Sequence, residues 1–398
     1  MSVTLPRGFR AGGVTAGMKP SGRPDLALLV ADGPCPAAGL FTTNAFAAAP
    51  VELSRRRLSR GLAQAVLVNS GQANAATGAR GDRDAETTTA AAAAALGLDP
   101  TLVLPCSTGV IGEPLHVSEL LGAIPELVGS LSTGGGAAFA EAITTTDTKI
   151  KQAASEWGPF RVGGCAKGVG MIAPDLALAT MLVFVTTDAP VPPPEIGRLA
   201  SEILEPKFES LSVDGCTSTN DTVLLLSSGA AGGDPVVPGT PGWDEVAGAL
   251  DEVAASLVLQ LAEDAEGAGH VVFVTVTGAE SAEDARAVAR AIADSLLVKT
   301  AVFGGDPNPG RILQAVGASG VPFLPRSVDI RIGQAPVVVA GAIPDAYFAN
   351  GGAEAARAEV EKPRVELCVC LGAGPGSGRA LGVDLSYDYV RINAEYTT

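Results

Sequence analysis

Short, dense apolar runs alternate along the chain with longer stretches of helical period. Leu26–Asp32 (LALLVAD) reads as a short buried strand, and Ala65–Val68 as another. Met181–Thr186 (MLVFVT) and Val271–Thr277 (VVFVTVT) are dense in β-formers and predict strands. Shorter strands are expected at Val328–Ile332, Val337–Val339 and Val365–Cys370. Helices are predicted for the alanine-rich segment Ala85–Leu96, stopped by Gly97, and for Ala137–Ile143, Glu195–Leu204 and Trp243–Leu261. Ser281–Leu297 has an amphipathic pattern, with Ser281 and Asp284 at capping spacing. Two turns are expected: Cys106–Gly109 after Leu102–Pro105, and a glycine-rich turn after Arg161–Val162.

Strands alternate with helices, but several strands follow one another directly. That order favours mixed α/β or α+β layers over a uniform doubly wound sheet. Pro190–Glu195 and Gly232–Pro241 read as surface linkers, and there is no internal repeat. The length of 398 residues predicts two or three domains. Hydrophobic residues are 47% and charged residues 18%, which excludes general disorder. Aromatics are only 4%, so the core is built from Ala, Val, Leu and Ile.

Charge narrows the function classes. With 27 basic and 43 acidic residues, the net charge is −16, which argues against nucleic-acid or anionic-membrane partners. Membrane spans and a signal peptide are not expected, because no apolar run is long enough and MSVTLPRGFR lacks the basic-then-apolar order. Six scattered cysteines fit reduced thiols and a cytoplasmic protein.

The candidate chemistry begins at Thr180, which opens an apolar strand after the glycine-rich segment carrying Lys167. A threonine at a strand start is common. It becomes a nucleophile only beside a base, and a cut after Ala179 would free an α-amine to act as one. The only histidines are His116 and His270, and neither has a partner motif, so a Ser-His-Asp triad is hard to assemble. Thr108 beside Gly109 offers two donors for an oxyanion, or an ordinary strand-to-loop turn. Thr144–Thr148 (TTTDT) reads as a capped turn, and Asp264–Gly267 as a helix end with a stop glycine. Asp214–Thr222 is unusually polar for a segment leading into VLLLSS and is a candidate cleft lining. The tail from Asp384 carries strand-like aromatics and β-branched residues and is expected to dock, anchored by Tyr387, Tyr389 and Tyr396. Cys368 and Cys370 share one face of an alternating strand, with core packing favoured over metal. Gly372–Gly378 reads as a hairpin loop, without the context of a nucleotide fingerprint.

Read in order, these segments resemble the ornithine acetyltransferase, or ArgJ, family over nearly the whole chain. The matching motifs are NSGQANAATG at 69–78, CSTGVIG at 106–112, TTDT at 145–148, AKGVGMIAPD at 166–175, ATML at 179–182, DGCTSTNDTVLLLSSG at 214–229, LVKTAVFGGDPN at 297–308, and the tail. The resemblance implies an α/β (α+β) layered sandwich of the DmpA/ArgJ-like type. It implies a self-cut between Ala179 and Thr180, giving an α chain (1–179) and a β chain (180–398). The β chain would include a C-terminal α/β domain from roughly 270 to 398, and two copies of each chain would form a heterotetramer. Thr180 is then the nucleophile that takes acetyl from N-acetylornithine, releases ornithine, and passes the acetyl group to glutamate to give N-acetylglutamate. Thr108 and Gly109 match the oxyanion pair, while Thr145, Lys167, Thr180, Glu266, Asn393 and Thr398 match substrate-contacting positions. No metal or resident cofactor is implied, and some members also use acetyl-CoA as a substrate.

The chain departs from the family pattern in three places. Lys167 and Thr180 are separated by two extra residues. Glu266-Gly267 is followed by Ala268-Gly269-His270 where the family carries Ala/Val-Thr-Lys, so the local pocket is expected to differ. Pro309 stands where the family has Trp, which is expected to alter packing near the site. Two alternatives stand beside this reading: a self-processing aminopeptidase or amidase of the same fold group, which passes the acyl group to water, and a small-molecule-binding protein that is never cut.

Overall fold

The computed structural model describes residues 2–173, 181–349 and 351–395. They form a mixed α/β fold of two compact units. The first holds Met1–Phe208 and Cys216–Leu261, and the second holds Glu209–Gly215 and Ala262–Thr397.

The first unit is built on an eight-stranded sheet. Its early strands are β1 (Phe9–Val14), β2 (Leu26–Phe41), β3 (Leu62–Gln72) and β4 (Val103–Val110). Then come β5 (Lys151–Trp157), β6 (Phe160–Lys167) and β7 (Leu182–Thr187). Leu211–Ser212 (β8) belongs to the second unit, and Thr222–Ser227 (β9) completes the first. The order is β4-β3-β2-β9-β7-β6-β5, with β1 also on β2. The strand predicted at Leu26–Asp32 is the start of the longer β2, which pairs first with β1 and β3 and later with β9. Its near-continuous apolar run arises because both faces are covered. Ala27, Leu29 and Ala31 join a core containing Phe139, whereas Leu26, Leu28 and Val30 join one containing Leu120, Ile124 and Leu127. The helix Gly136–Ala142 serves the first face, and the helices Gly78–Leu96 and Val117–Gly129 the second.

One predicted turn is a strand, and the other begins as one. Cys106–Gly109 is the end of β4, held by parallel pairing with β3 in which Ser70 faces Thr108 and Gly71 faces Gly109. Of the glycines after Arg161–Val162, Gly163 and Gly164 lie within β6, whereas Gly168 and Gly170 follow its end, where the chain does bend. The first two are there for close approach: a Cβ on Gly163 would lie 2.1 Å from the Ser2 carbonyl oxygen, and one on Gly164 3.0 Å from Val253 and Leu257. The proposed linkers are also internal to this unit. Pro193 opens the helix Pro193–Leu199, and buried Val236 donates its N–H to the Pro190 carbonyl.

The second unit has a six-stranded sheet. Its strands are β8, β10 (Val271–Ala279), β11 (Asp329–Ile332), β12 (Ala335–Val338), β13 (Arg364–Cys370) and β14 (Gly376–Val383). The order is β12-β11-β13-β10-β14-β8. Because β10 lies between β13 and β14, Gly372–Gly378 is no hairpin loop; it crosses the end of β10 and enters β14. Val365, Leu367 and Val369 fill the core, so Cys368 and Cys370 sit half-buried on the opposite face and not in the core. Ser281 caps its helix as predicted, accepting from the Asp284 N–H, but that helix ends at Asp294. Ser295 is extended and starts a second helix, Leu296–Phe303. Pro309 takes the first position of the helix Pro309–Gly317, where its missing N–H costs nothing, and Asn308 caps it. The tail is a helix, Tyr387–Glu395, in place of a strand-like segment. Its cap is Ser386, whose Oγ accepts from the N–H groups of Asp388 and Tyr389. The Tyr387 ring meets Phe303 edge-to-face, with centroids 5.4 Å apart, but the residue is 83% exposed, so it is a weaker anchor than a buried ring would be. Tyr396 lies outside the described residues.

Candidate active site

Thr108 and Gly109 end the strand β4 one residue before the chain leaves the sheet. Thr108 is fully buried, and Gly109 has φ +128°. A Cβ at Gly109 would lie 2.3 Å from the Gly71 carbonyl carbon and oxygen, so only glycine fits beside β3. The strand β6 delivers Lys167, 2% exposed, and its Nζ donates to Thr108 Oγ1 at 3.2 Å. A charged ammonium has no lone pair, so Thr108 accepts here and its own hydroxyl proton stays available to donate elsewhere. That is the requirement for one arm of an oxyanion site.

The counter-charge is Asp147, inside the TTDT segment. Its Oδ1 accepts from Lys151 Nζ at 2.7 Å and from the Gly168 N–H at 2.8 Å. Its Oδ2 accepts from the Thr145 N–H at 3.0 Å. Burial pushes the Asp147 carboxyl up, but Lys167, Lys151 and the hydrogen bonds outweigh it and hold the group at about 2. The segment is therefore a buried hub and not merely a capped turn, and it joins Thr145 to the residue after Lys167.

A second buried carboxyl, Asp221, accepts from the Met181 N–H at 2.7 Å. Its burial raises it well above the ordinary carboxylate range, against the lowering effects of the Met181 N–H and the Lys167 charge. Among the described residues, its buried Oδ2 has no hydrogen-bond partner. Next to it, Asn220 donates from Nδ2 to the Ala73 and Ser107 carbonyls at 2.6 and 2.8 Å. The polar stretch expected to line a cleft thus ties the start of β7 to the end of β4.

In the second unit the structure brings Glu266 and Asn393 together. Asn393 Nδ2 donates to Glu266 Oε2 and to the Tyr389 carbonyl, both at 3.0 Å. Ser386 Oγ donates to the Gly267 carbonyl at 2.6 Å, so the tail helix is tied to the Glu266 loop. Tyr389 completes the docking by donating to Asp214 Oδ2 at 3.2 Å. The departure at Gly269-His270 is absorbed by Asp384. It accepts from both backbone N–H groups at 2.8 and 3.1 Å and contacts His270 Nδ1 at 2.8 Å. Ala179, Thr180 and Thr398 lie outside the described residues.

Asp147, Asp221 and Asn220 were not singled out from the sequence as site residues. The available signal was polarity at positions flanking strongly apolar strands, which marks buried polar groups that need partners. Among the described residues, no cluster of three or more His, Cys, Asp or Glu is arranged to hold a metal ion.

The first unit therefore defines a class: a mixed α/β protein in which a buried lysine bonds a buried threonine hydroxyl beside a pinned glycine. The ArgJ family model matches residues 10–398; the chain belongs to this family and is an acetyltransferase of arginine biosynthesis. It is 45% identical over 412 aligned residues to the arginine biosynthesis bifunctional protein ArgJ of Thermosynechococcus vestitus, covering 100% of this chain and 98% of the relative. The protein of the same name from Symbiobacterium thermophilum is 46% identical over 403 residues, at 100% and 98% coverage. Among solved structures, the ornithine acetyltransferase of Mycobacterium tuberculosis complexed with ornithine is 44% identical. That match covers 44% of this chain and 95% of the other, with a TM-score of 0.42.

Proposed function

We propose that this chain moves an acetyl group from N-acetylornithine to glutamate through an acetyl ester on Thr180. The hydrogen bond from Lys167 Nζ to Thr108 Oγ1 carries the reading, since it fixes the threonine as a donor to an oxyanion. The chain is first cut by attack of the Thr180 hydroxyl on the Ala179 carbonyl. The C–N bond breaks to leave an ester and a free Thr180 α-amine, and water releases the ester. The α-amine then serves as base. Thr180 Oγ attacks the acetyl carbonyl, and Thr108 with the Gly109 N–H holds the oxyanion. The amide bond breaks, and the nitrogen leaves as the amine of ornithine, protonated by the base. The glutamate amine attacks the ester in the return half, restoring the Thr180 hydroxyl and yielding N-acetylglutamate.

Lys167 and Thr145 suit a carboxylate and a polar backbone, and Glu266 with Asn393 suits an ammonium. No resident cofactor enters this chemistry; acetyl-CoA would act as an alternative acetyl donor. The reading further holds that the α chain (1–179) and β chain (180–398) remain together as a cytoplasmic heterotetramer. Intact mass after incubation with N-acetylornithine tests it: two chains are expected, the β chain heavier by one acetyl group, which leaves on addition of glutamate. A single uncut chain that turns over normally would overturn the mechanism.

A further inference from the structure

The loop 15–25 between β1 and β2 is fixed far more tightly than a surface hairpin requires. Buried Asp25 accepts from the N–H groups of Ala16, Gly17, Met18 and Lys19 at 2.6, 3.1, 2.6 and 3.0 Å. The Met18 carbonyl accepts from Gln72 Nε2 at 3.1 Å, and a Cβ on Gly71 would lie 2.9 Å from the same oxygen. Gly71 is the residue that faces Gly109. The loop is thus seated on the end of β3 that adjoins the oxyanion pair.

What the loop presents there is positive charge. Lys19 Nζ donates to the Pro24 carbonyl at 2.6 Å and to the Ala142 carbonyl at 3.4 Å. The guanidinium of Arg23 reaches Thr144 Oγ1 at 3.4 Å, one residue before Thr145. Lys19 feels the repulsion of Arg23 and Lys167 and the attraction of Asp25 and Asp147. Both carboxylates are already engaged: Asp25 by backbone N–H groups, Asp147 by Lys151 and the Thr145 and Gly168 N–H groups. Among the described residues, neither Lys19 nor Arg23 forms an ion pair with a carboxylate.

We propose that Lys19 and Arg23 form a subsite for the side-chain carboxylate of the acceptor amino acid. The inference rests on the transfer reaction proposed above. That reaction poses a problem of charge: the donor's side chain ends in an ammonium and the acceptor's in a carboxylate. A glutamate such as Glu266 that attracts the first repels the second. The acceptor's side chain therefore needs a cationic seat of its own, distinct from the carboxylate site at Lys167, and the loop 15–25 supplies one. An ammonium held to carbonyls keeps a donor for such an anion, and a guanidinium adds a planar pair.

The test compares glutamate with glutamine, which differs only at the side-chain carboxylate. Equilibrium binding and acetyl-acceptor kinetics are measured for the wild type, Lys19→Gln, Lys19→Arg and the exposed-site variant Arg23→Gln. Lys19→Gln is expected to lower glutamate affinity and kcat/KM by about 10- to 100-fold, the worth of one charge-assisted bond, and to leave glutamine within about twofold. Lys19→Arg should recover most of the loss, and Arg23→Gln should show a smaller loss of the same kind. Burial pulls the Lys19 ammonium down to about 8, against the attraction of Asp25 and Asp147. Preference for glutamate over glutamine should therefore fade in the wild type as pH rises through about 8. Equal losses for both amino acids, or no loss in either lysine or arginine variant, would overturn the subsite. Binding discrimination that persists while no acetyl is transferred to any acceptor would instead overturn the transfer reading and leave the subsite standing.

Discussion

The two units bury lysines in opposite ways. In the first, Lys151 and Asp147 form an ion pair at 2.7 Å with side chains 1% and 0% exposed, and Lys167 sits within reach of the same carboxylate. In the second, buried Lys299 donates to the Val383 carbonyl at 2.6 Å and, among the described residues, feels the more distant charges of Asp294, Asp214 and Asp384 without an ion pair. Burial dominates there and pulls the ammonium down to about 8. The difference separates two uses of a buried cation. Where a counter-ion is supplied, Asp147 offsets the buried cations, and Lys167 places a donor on the Thr108 hydroxyl. Where none is bonded, the lysine acts as a brace, joining the helix Leu296–Phe303 to the end of β14.

The largest expected effect comes from removing the counter-ion. Asp147→Asn leaves Lys151 and Lys167 buried without it, a change that typically costs about 3–5 kcal/mol. A urea denaturation midpoint measures it, and an unchanged midpoint would mean that the pair does not distinguish this unit from the other. Next is Thr108→Ala, which should lower kcat by about 10²–10³, roughly 3–4 kcal/mol, with little change in KM because the oxyanion exists only in the transition state. Steady-state kinetics check it. A rise in KM at constant kcat would move Thr108 from the oxyanion site to ground-state binding.

The sequence revealed the parts of this contrast unevenly. The apolar runs of β2, β7 and β10 and the cap at Ser281 were legible, because period and capping are local properties. Thr108 and Gly109 read as a turn, because Ser-Thr-Gly has turn chemistry; only the parallel partner β3 makes it a strand. Asp147 was hidden for a related reason. A Thr/Asp cluster looks like a cap, and its buried partners Lys151 and Gly168 become neighbours only once β5 and β6 pair. The tail misled through β-favouring Tyr and Val, although Ser386 followed by Asp388 is a helix-start signal. Family resemblance, by contrast, named Glu266 and Asn393 as site residues without showing that they bond to each other.

Acid and base should pull the two units apart. Asp147 titrates at about 2, below the 3.8 of an ordinary aspartate, so its contribution is fully present above pH about 4 and is lost as pH falls through about 2. The loss is about 2 kcal/mol. Lys299 has the opposite sense. Its folded value of about 8 lies below 10.5, so the folded form releases its proton first and stability rises as pH climbs from 8 to 10.5. Stability–pH curves for the wild type, Asp147→Asn and Lys299→Met check both. Asp147→Asn should flatten the acid limb and Lys299→Met the alkaline one; a variant curve parallel to the wild type would sink that half of the comparison.

The smallest effect is expected at the loop that carries Glu266. Asp384 holds this loop through the Gly269 and His270 N–H groups as well as through the His270 ring. The two backbone bonds survive His270→Ala, and the ring is partly solvent-exposed, so the change should cost about 1 kcal/mol or less. His270→Lys, which restores the residue of the family pattern, keeps a donor facing Asp384 and should cost still less. Amide hydrogen exchange at positions 269 and 270 gives the local reading. Exchange is expected to quicken only slightly in His270→Ala, because Asp384 still accepts both N–H groups. If it quickens by orders of magnitude, the imidazole is what orders the loop. The Glu266 region would then depend on a charged or hydrogen-bonded side chain after all, as the Lys167 region does, and the contrast between the units would narrow to Lys299 alone.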